Sequence, residues 1–426
     1  MTVAPKVAKK SSSSRAKLIS PRRLRLAAFL AVMGPGIIAG LSDDDPAGIT
    51  TYSIMGAKYG YRLLWVLVIS TIALILFQDL GARIGVVTRQ GLIGLVRQKY
   101  GARSGILSAS ALLLANVGTM TAEFAGIAAA GQLFGYSRYL TVPIAALLVS
   151  FLVLRGSFVR LEKIFFILSA IFFSYIVAGF LSHPNWGQAF HGTFVPTIPF
   201  THDAVFIATA TLGTTLAPWG LAFIQSYAVD KRLTRDDLKL LRVDVWTGSI
   251  LTGVIGFFVI VTCAATLNRQ HISINDASDV AAALKPLAGN LAKDLFAIGL
   301  IGAALLAASI LPLSTAYSIS DLTGRPAALD DSPREAPLFY GTFAAITVLS
   351  AVLILLPGAP LITILVLTQI LNAVLLLPLL LYMFGISKDK RLMGEFVASK
   401  FMRGIYIVII AIVFFCIACM LWFSFR

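Results

Sequence analysis

Three aspartates in a row, Asp43, Asp44 and Asp45, precede Pro46 in the stretch GLSDDDPAGITTY, within a segment otherwise apolar enough to cross a membrane. An aspartate at the centre of a membrane helix costs roughly 2.5–3.5 kcal/mol on insertion scales, so three together require water, a protein partner or a cation. Carboxylate oxygens are hard donors of the kind that bind divalent cations. Successive helical residues point about 100° apart, so the three cannot address one point unless the backbone unwinds. Proline provides for that, because it removes a backbone hydrogen bond and clashes with the preceding turn. The expectation is that Asp45, directly before the break, faces a cation site. For Asp43 and Asp44 two readings stand: one of them lines the aqueous approach, or they belong to a solvated vestibule or a helix cap.

A second break is expected at GTTLAPWG, Gly213 to Gly220, where Pro218 has small and polar neighbours. Either proline alone reads as an ordinary kink. As a pair 172 residues apart, one of them beside three acids, they read as the two halves of one central site. Irregular backbone at membrane depth is tolerated only where it is buried in protein or lines a cavity. The C-terminal end of each half-helix presents carbonyls of partial negative charge, which favour a cation.

The elements that position these residues follow from hydropathy. The chain has 426 residues, 58% of them hydrophobic and 13% charged, with a mean hydropathy of +0.86, which is far from soluble composition. Apolar stretches of about 20 residues indicate helices and not the short alternating strands of a barrel. The expected fold is an all-α polytopic membrane protein with eleven spans at 29–57, 63–88, 105–134, 139–154, 161–181, 203–229, 245–266, 294–320, 338–356, 360–385 and 404–424. The breaks start two five-helix repeats, about 29–181 and 203–385, and because five is odd the second is inverted. Residues 1–25 form a basic tail expected to be disordered and cytoplasmic, 26–386 the transport core, and 387–426 a cytoplasmic loop with the eleventh helix.

With the N-terminus inside, 27 of the 35 Lys and Arg residues fall in cytoplasmic segments and 7 outside, Arg83 lying in the second span. That asymmetry orients the chain in the plasma membrane, with the C-terminus outside if eleven helices cross. The net charge of +15 is spread over short loops that meet anionic headgroups, so membrane lipids and not nucleic acid are the expected partners. No cleavable signal pattern follows the tail.

The stretches GPGIIAGLSDDDPAGITTYSIMGAKYGYRLLWVLVI and FQDLGARIGVVTRQGL resemble the first two helices of the natural resistance-associated macrophage protein family of divalent-metal transporters. TAEFAGIAAAGQLFG resembles the third helix, and APWG stands where the family has M-P-H. The resemblance spans about 33–385 and implies a LeuT-like inverted repeat working by alternating access. It also implies a ligand set: Asp45 for the Asp of D-P-G-N, Gly48 for its Asn, Ala217 for the Met of M-P-H, and carbonyls of Thr214 and Ser42. The family's sixth-helix His is Trp219 here, and an Asp three residues before Glu123 is Met120.

These departures shape the expected function. Loss of the thioether removes the donor that favours soft and borderline metals. An oxygen site with room for retained waters suits Mg²⁺. The reading is a secondary transporter or facilitator of partly hydrated Mg²⁺ without proton coupling, similar to an NRAMP-related magnesium branch. The alternative is a proton-coupled Mn²⁺/Fe²⁺ transporter. A sodium-coupled solute transporter of the same fold would not place acids at the first break. No G-x-G-D pattern supports an intramembrane protease, so no enzyme is expected, and no cofactor beyond the transported ion.

Further polar residues remain open. Glu123 and Asp79 line a wet pathway or touch the ion's waters, or else are buried partners of a group such as Arg83. Gln369 and Asn372 do the same or hydrogen-bond between helices. Thr215 and Trp219 flank the site. Cys263, Cys416 and Cys419 read as core or lipid-facing, and His183, His191, His202 and His271 as solvated loop residues.

Overall fold

A computed structural model describes residues 40, 42–154, 167, 170–325 and 332–425. The basic tail, the start of the first span and the loop at 155–163 therefore lie outside the described residues. The helices are α1 (Pro46–Tyr59), α2 (Leu64–Thr88), α3 (Leu92–Tyr100), α4 (Ala102–Leu133), α5 (Arg138–Leu154), α6 (Ser174–Leu181) and α7 (Trp186–Phe194). They continue with α8 (His202–Thr215), α9 (Pro218–Asp230), α10 (Leu238–Cys263), α11 (Ala292–Thr323), α12 (Pro337–Leu355), α13 (Leu361–Ser387) and α14 (Lys400–Ser424), joined by short helical turns.

Among the described residues there is no strand, and eight helices, with α8 and α9 counted together, are long and apolar enough to cross a membrane. Two shorter apolar helices, Arg138–Leu154 and Ile171–Leu181, occupy the fourth and fifth expected spans. Helix is the solution hydrocarbon allows, because every backbone donor finds its acceptor within the segment. Several helices outrun the apolar stretch: α10 begins at Leu238 and not near 245, its first turns carrying Lys239, Arg242 and Asp244. Charged side chains leave hydropathy but not the helix.

Both breaks are present and built alike. Pro46 and Pro218 occupy the first position of α1 and α9, preceded by extended residues, Asp45 at φ −74°, ψ 172° and Ala217 at φ −64°, ψ 135°. At that position the missing proline N–H costs the new helix nothing. It also cannot donate to the carbonyl four residues back, which belongs to Ser42 in one break and Thr214 in the other.

The half-helices run to opposite ends of the bundle. Asn268, beyond the end of α10, donates to the Ala57 carbonyl near the end of α1, where α2 begins. Gln225 in the second half of α9 donates to the Gln90 carbonyl, just past the end of α2. Since α2 crosses the bundle once, α1 and α9 point to different faces, as an inverted repeat requires. The second break is pressed into place by α13: a Cβ on Gly213 would lie 1.8 Å from the Gln369 carbonyl oxygen, so only glycine permits this approach.

Candidate functional site

The sequence places acids at the first break, and the fold buries them. Asp43, Asp44 and Asp45 are at most 3% exposed. Asp45 caps α1, its Oδ1 accepting from the Gly48 N–H at 2.6 Å. The cap belongs to Asp45, and neither Asp43 nor Asp44 sits in a solvated vestibule. All four carboxylate oxygens of Asp43 and Asp44 are buried without a hydrogen-bond partner.

Gly48 marks where the two breaks meet. A Cβ there would lie 2.9 Å from the Asp43 carbonyl oxygen, 3.1 Å from Thr214 Oγ1 and 3.3 Å from Asp45 Oδ1. Three oxygens from both breaks thus surround the bare face of this glycine. It is the side chain of Thr214 that reaches this point, and its hydroxyl has no hydrogen-bond partner. Ser42 is buried one residue before the acids.

Glu123 comes from α4 toward Asp45, close enough for the two carboxyls to interact. Both Glu123 oxygens are buried. No three His, Cys, Asp or Glu side chains converge at metal-binding distance among the described residues. The acids are spread around the break, leaving any ion to be completed by carbonyl, hydroxyl or water oxygens.

The face contributed by the second break is apolar. Ala217, Trp219 and Met120 are buried in one cluster with Ala47, Phe124 and Phe223, and the Trp219 carbonyl accepts from Ser314 Oγ at 3.1 Å. Thr215 Oγ1 donates to the Thr211 carbonyl and lies 2.8 Å from Tyr52 Oη. Its proton being committed, Tyr52 is the donor.

Asn372 donates to Thr119 Oγ1 at 2.8 Å and to Gln369 Oε1 at 2.9 Å, tying α13 to α4. Gln369 Nε2 is buried and unpartnered. Asp79 does not pair with Arg83. Arg242 Nε holds its Oδ1 at 2.7 Å, which removes Asp79 from the group of acids at the break.

Two residues near the acids were not singled out from sequence. Tyr52 lies one turn past Gly48, fully buried and bonded to Thr215 of the second break; its i+4 spacing from Gly48 was the available signal. Gln78 takes a hydrogen bond from Ser249, and its free Nε2 and Asp43 Oδ1 lie 3.5 and 3.7 Å from the Cβ position of Gly220. An amide beside Asp79 in an apolar span was its signal.

The four histidines are exposed or lie at helix ends, away from the break. Cys263 is buried, and all three cysteines are free thiols. A cavity of about 1200 Å³, lined by Tyr59, Arg62, His183, Gln188, His191 and Arg269, opens where α1 ends. The length of α1 separates it from Asp45 by about 20 Å.

Comparison with known proteins agrees with this architecture. The family described as natural resistance-associated macrophage protein-like matches residues 36–423. A relative from Klebsiella pneumoniae subsp. pneumoniae, "Divalent metal cation transporter MntH", is 29% identical over 418 residues, covering 94% of this chain and 96% of its own. The Eremococcus coleocola manganese transporter superposes with a TM-score of 0.74 at 18% identity, over 92% of this chain and 86% of that one. A Na⁺-coupled sialic acid symporter follows at 0.52 and 13% identity, over 92% and 94%. These neighbours share the LeuT-like fold. Family match and fold together make this chain a member of the natural resistance-associated macrophage protein-like family.

Proposed function

We propose that the protein is a secondary transporter or facilitator that carries divalent Mg²⁺ across the plasma membrane by alternating access, the ion partly hydrated and not coupled to protons. The N-terminus is on the cytoplasmic side. The observation that carries the reading is the set of four buried, unpartnered carboxylate oxygens of Asp43 and Asp44 at a helix break, with Glu123 facing Asp45 beside them. Uncompensated charges of that kind are costly in a membrane interior and need a cation. Asp45 and Thr214 are the proposed ion ligands, with Ser42, Gly48 and Ala217 lining the same space. Asp43, Asp44 and Gln369 belong to the approach or to the ion's waters, while Asn372 bonds between helices.

Oxygen donors without a thioether support a hard ion over a borderline one. The burial of Trp219 and Met120 in an apolar cluster supports the absence of a proton relay at those positions. The second reading is a proton-coupled Mn²⁺/Fe²⁺ transporter, favoured by the similarity to a divalent metal cation transporter and a manganese transporter and by Glu123 facing Asp45, a carboxyl pair able to share a proton.

Uptake of Mg²⁺ and of Mn²⁺ into proteoliposomes, with internal pH recorded, separates the two. Mg²⁺ entry down its gradient without acidification is expected. Mn²⁺-selective uptake, or concentrative uptake driven by an imposed pH gradient, would replace this reading with the second.

A further inference from the structure

Away from the ion site, Asp79, Arg83, Arg242 and Tyr406 form a charged cluster that ion transport does not account for. Asp79 and Arg83 are four residues apart on α2, a spacing at which acid and base commonly pair. Asp79 is instead held by Arg242 of α10, Nε to Oδ1 at 2.7 Å and Nη2 to Oδ2 at 3.5 Å. Arg83 is left donating to the Tyr406 hydroxyl of α14 at 3.1 Å, and its Nε is buried without an acceptor. The four side chains hold two guanidiniums and one carboxylate, which only Arg242 engages, so the cluster carries a net positive charge.

Its position is near the membrane boundary. Arg83 lies five residues before Thr88, the last residue of α2, about 7.5 Å along the axis, a depth from which long basic side chains reach the headgroup layer. The Arg235–Glu395 ion pair, 3.3 Å, joins the segment before α10 to the segment before α14, and α2 bonds to both helices through Asp79 and Arg83. Arg242 is half exposed while Asp79 beneath it is 14% exposed. On α10 the exposed side chains continue as Val243, Trp246 and Ile250, a strip for hydrocarbon contact. This end of the bundle also carries the basic residues Lys239 and Lys400.

We infer that the surface at the start of α10, beside Asp79 and Arg83 of α2, is a binding site for an anionic phospholipid, its phosphate on the exposed guanidinium of Arg242 and an acyl chain along Trp246 and Ile250. Arg83 lies behind and supplies the uncompensated charge. A guanidinium matches phosphate geometry, and basic pockets between membrane helices at this level recognise acidic headgroups. The surplus charge is what discriminates a phosphatidylglycerol from a zwitterionic phosphatidylcholine. The inference does not depend on which ion is transported.

The test is native mass spectrometry of the full chain equilibrated with equimolar phosphatidylglycerol and phosphatidylcholine, with thermal stabilisation by each lipid as a second readout. The wild type is expected to retain phosphatidylglycerol roughly fivefold over phosphatidylcholine for one surplus charge. Arg83→Gln should abolish that preference, Arg83→Lys should keep it, and Asp79→Asn should increase it. If Arg83→Gln does not fold, Arg242→Gln against Arg242→Lys provides the same contrast. Equal retention of both lipids by the wild type overturns the site. Stabilisation by inorganic phosphate alone, equal to that by phosphatidylglycerol and lost in the same variants, overturns the lipid assignment in favour of a free anion.

Discussion

The two breaks share one backbone device and differ in almost everything attached to it. Pro46 and Pro218 each begin a helix after an extended residue, Asp45 and Ala217 both lying in the β region. At the first break the extended residue is an acid that caps its own helix, preceded by two further buried acids. At the second there is no side-chain cap, and Ala217 and Trp219 pack into an apolar cluster. A repeated fold element thus supplies two sets of carbonyls by geometry alone, whereas charge enters from one side. The first break contributes the chemistry, and the second contributes backbone, the Thr214 hydroxyl and shape.

The sharpest way to break that division is at Asp45. Both Asp45→Ala and Asp45→Asn should lower ion uptake into proteoliposomes by about 100-fold or more, on the scale of lost metal-site groups. The alanine also loses the helix cap, worth about 1 kcal/mol, which the asparagine keeps. Matching loss of transport in the two variants, with only the alanine less stable, separates charge from capping. Normal uptake by either would mean that Asp45 acts as a cap and not as a ligand.

Moving chemistry to the second break is the next test. Gly48→Asn with Ala217→Met should shift the Mn²⁺ to Mg²⁺ uptake ratio by about tenfold toward Mn²⁺, since the thioether adds a donor Mg²⁺ does not use. The Gly48 Cβ would lie 2.9 Å from the Asp43 carbonyl oxygen, so the loop must shift and total flux should fall. An unchanged ratio in an active variant would show that neither position faces the ion.

Gly213→Ala probes the scaffold of the second break. With the Gln369 carbonyl 1.8 Å from the new Cβ, overpacking of this kind costs about 1–3 kcal/mol, read as a lower melting temperature with selectivity preserved in the folded fraction. A changed ion preference would instead make this region chemical. The smallest effect is expected for Tyr52→Phe, which removes the bond that ties the first break to Thr215 of the second, worth about 0.5–1.5 kcal/mol. A change in thermal stability with little change in the Mg²⁺ to Mn²⁺ ratio is the expected result.

Much of this was legible without coordinates. Hydropathy located the spans because the bilayer imposes one length on every crossing, and proline located the breaks because its missing N–H acts locally. Asp45 was identifiable as the residue beside the break for the same reason. What a side chain meets across helices was not local and could not be read. Arg83 stands at the right spacing for Asp79, yet a residue from α10 takes the carboxylate. Asn372 was open between an ion-facing and an interhelical role, and its bond to Thr119 on α4 gives it an interhelical one.

The sequence by itself determined the membrane class, the helix positions, the two matched breaks and the acidity of the first, since each depends on composition or on chemistry within a few residues. Tertiary structure decided that Asp43 and Asp44 are buried without hydrogen-bond partners, that Thr214 brings a hydroxyl to Gly48, and that Ala217, Trp219 and Met120 close one face as an apolar wall. Those outcomes depend on which surfaces of distant helices come into contact, and burial and pairing are properties of that contact and not of any single segment.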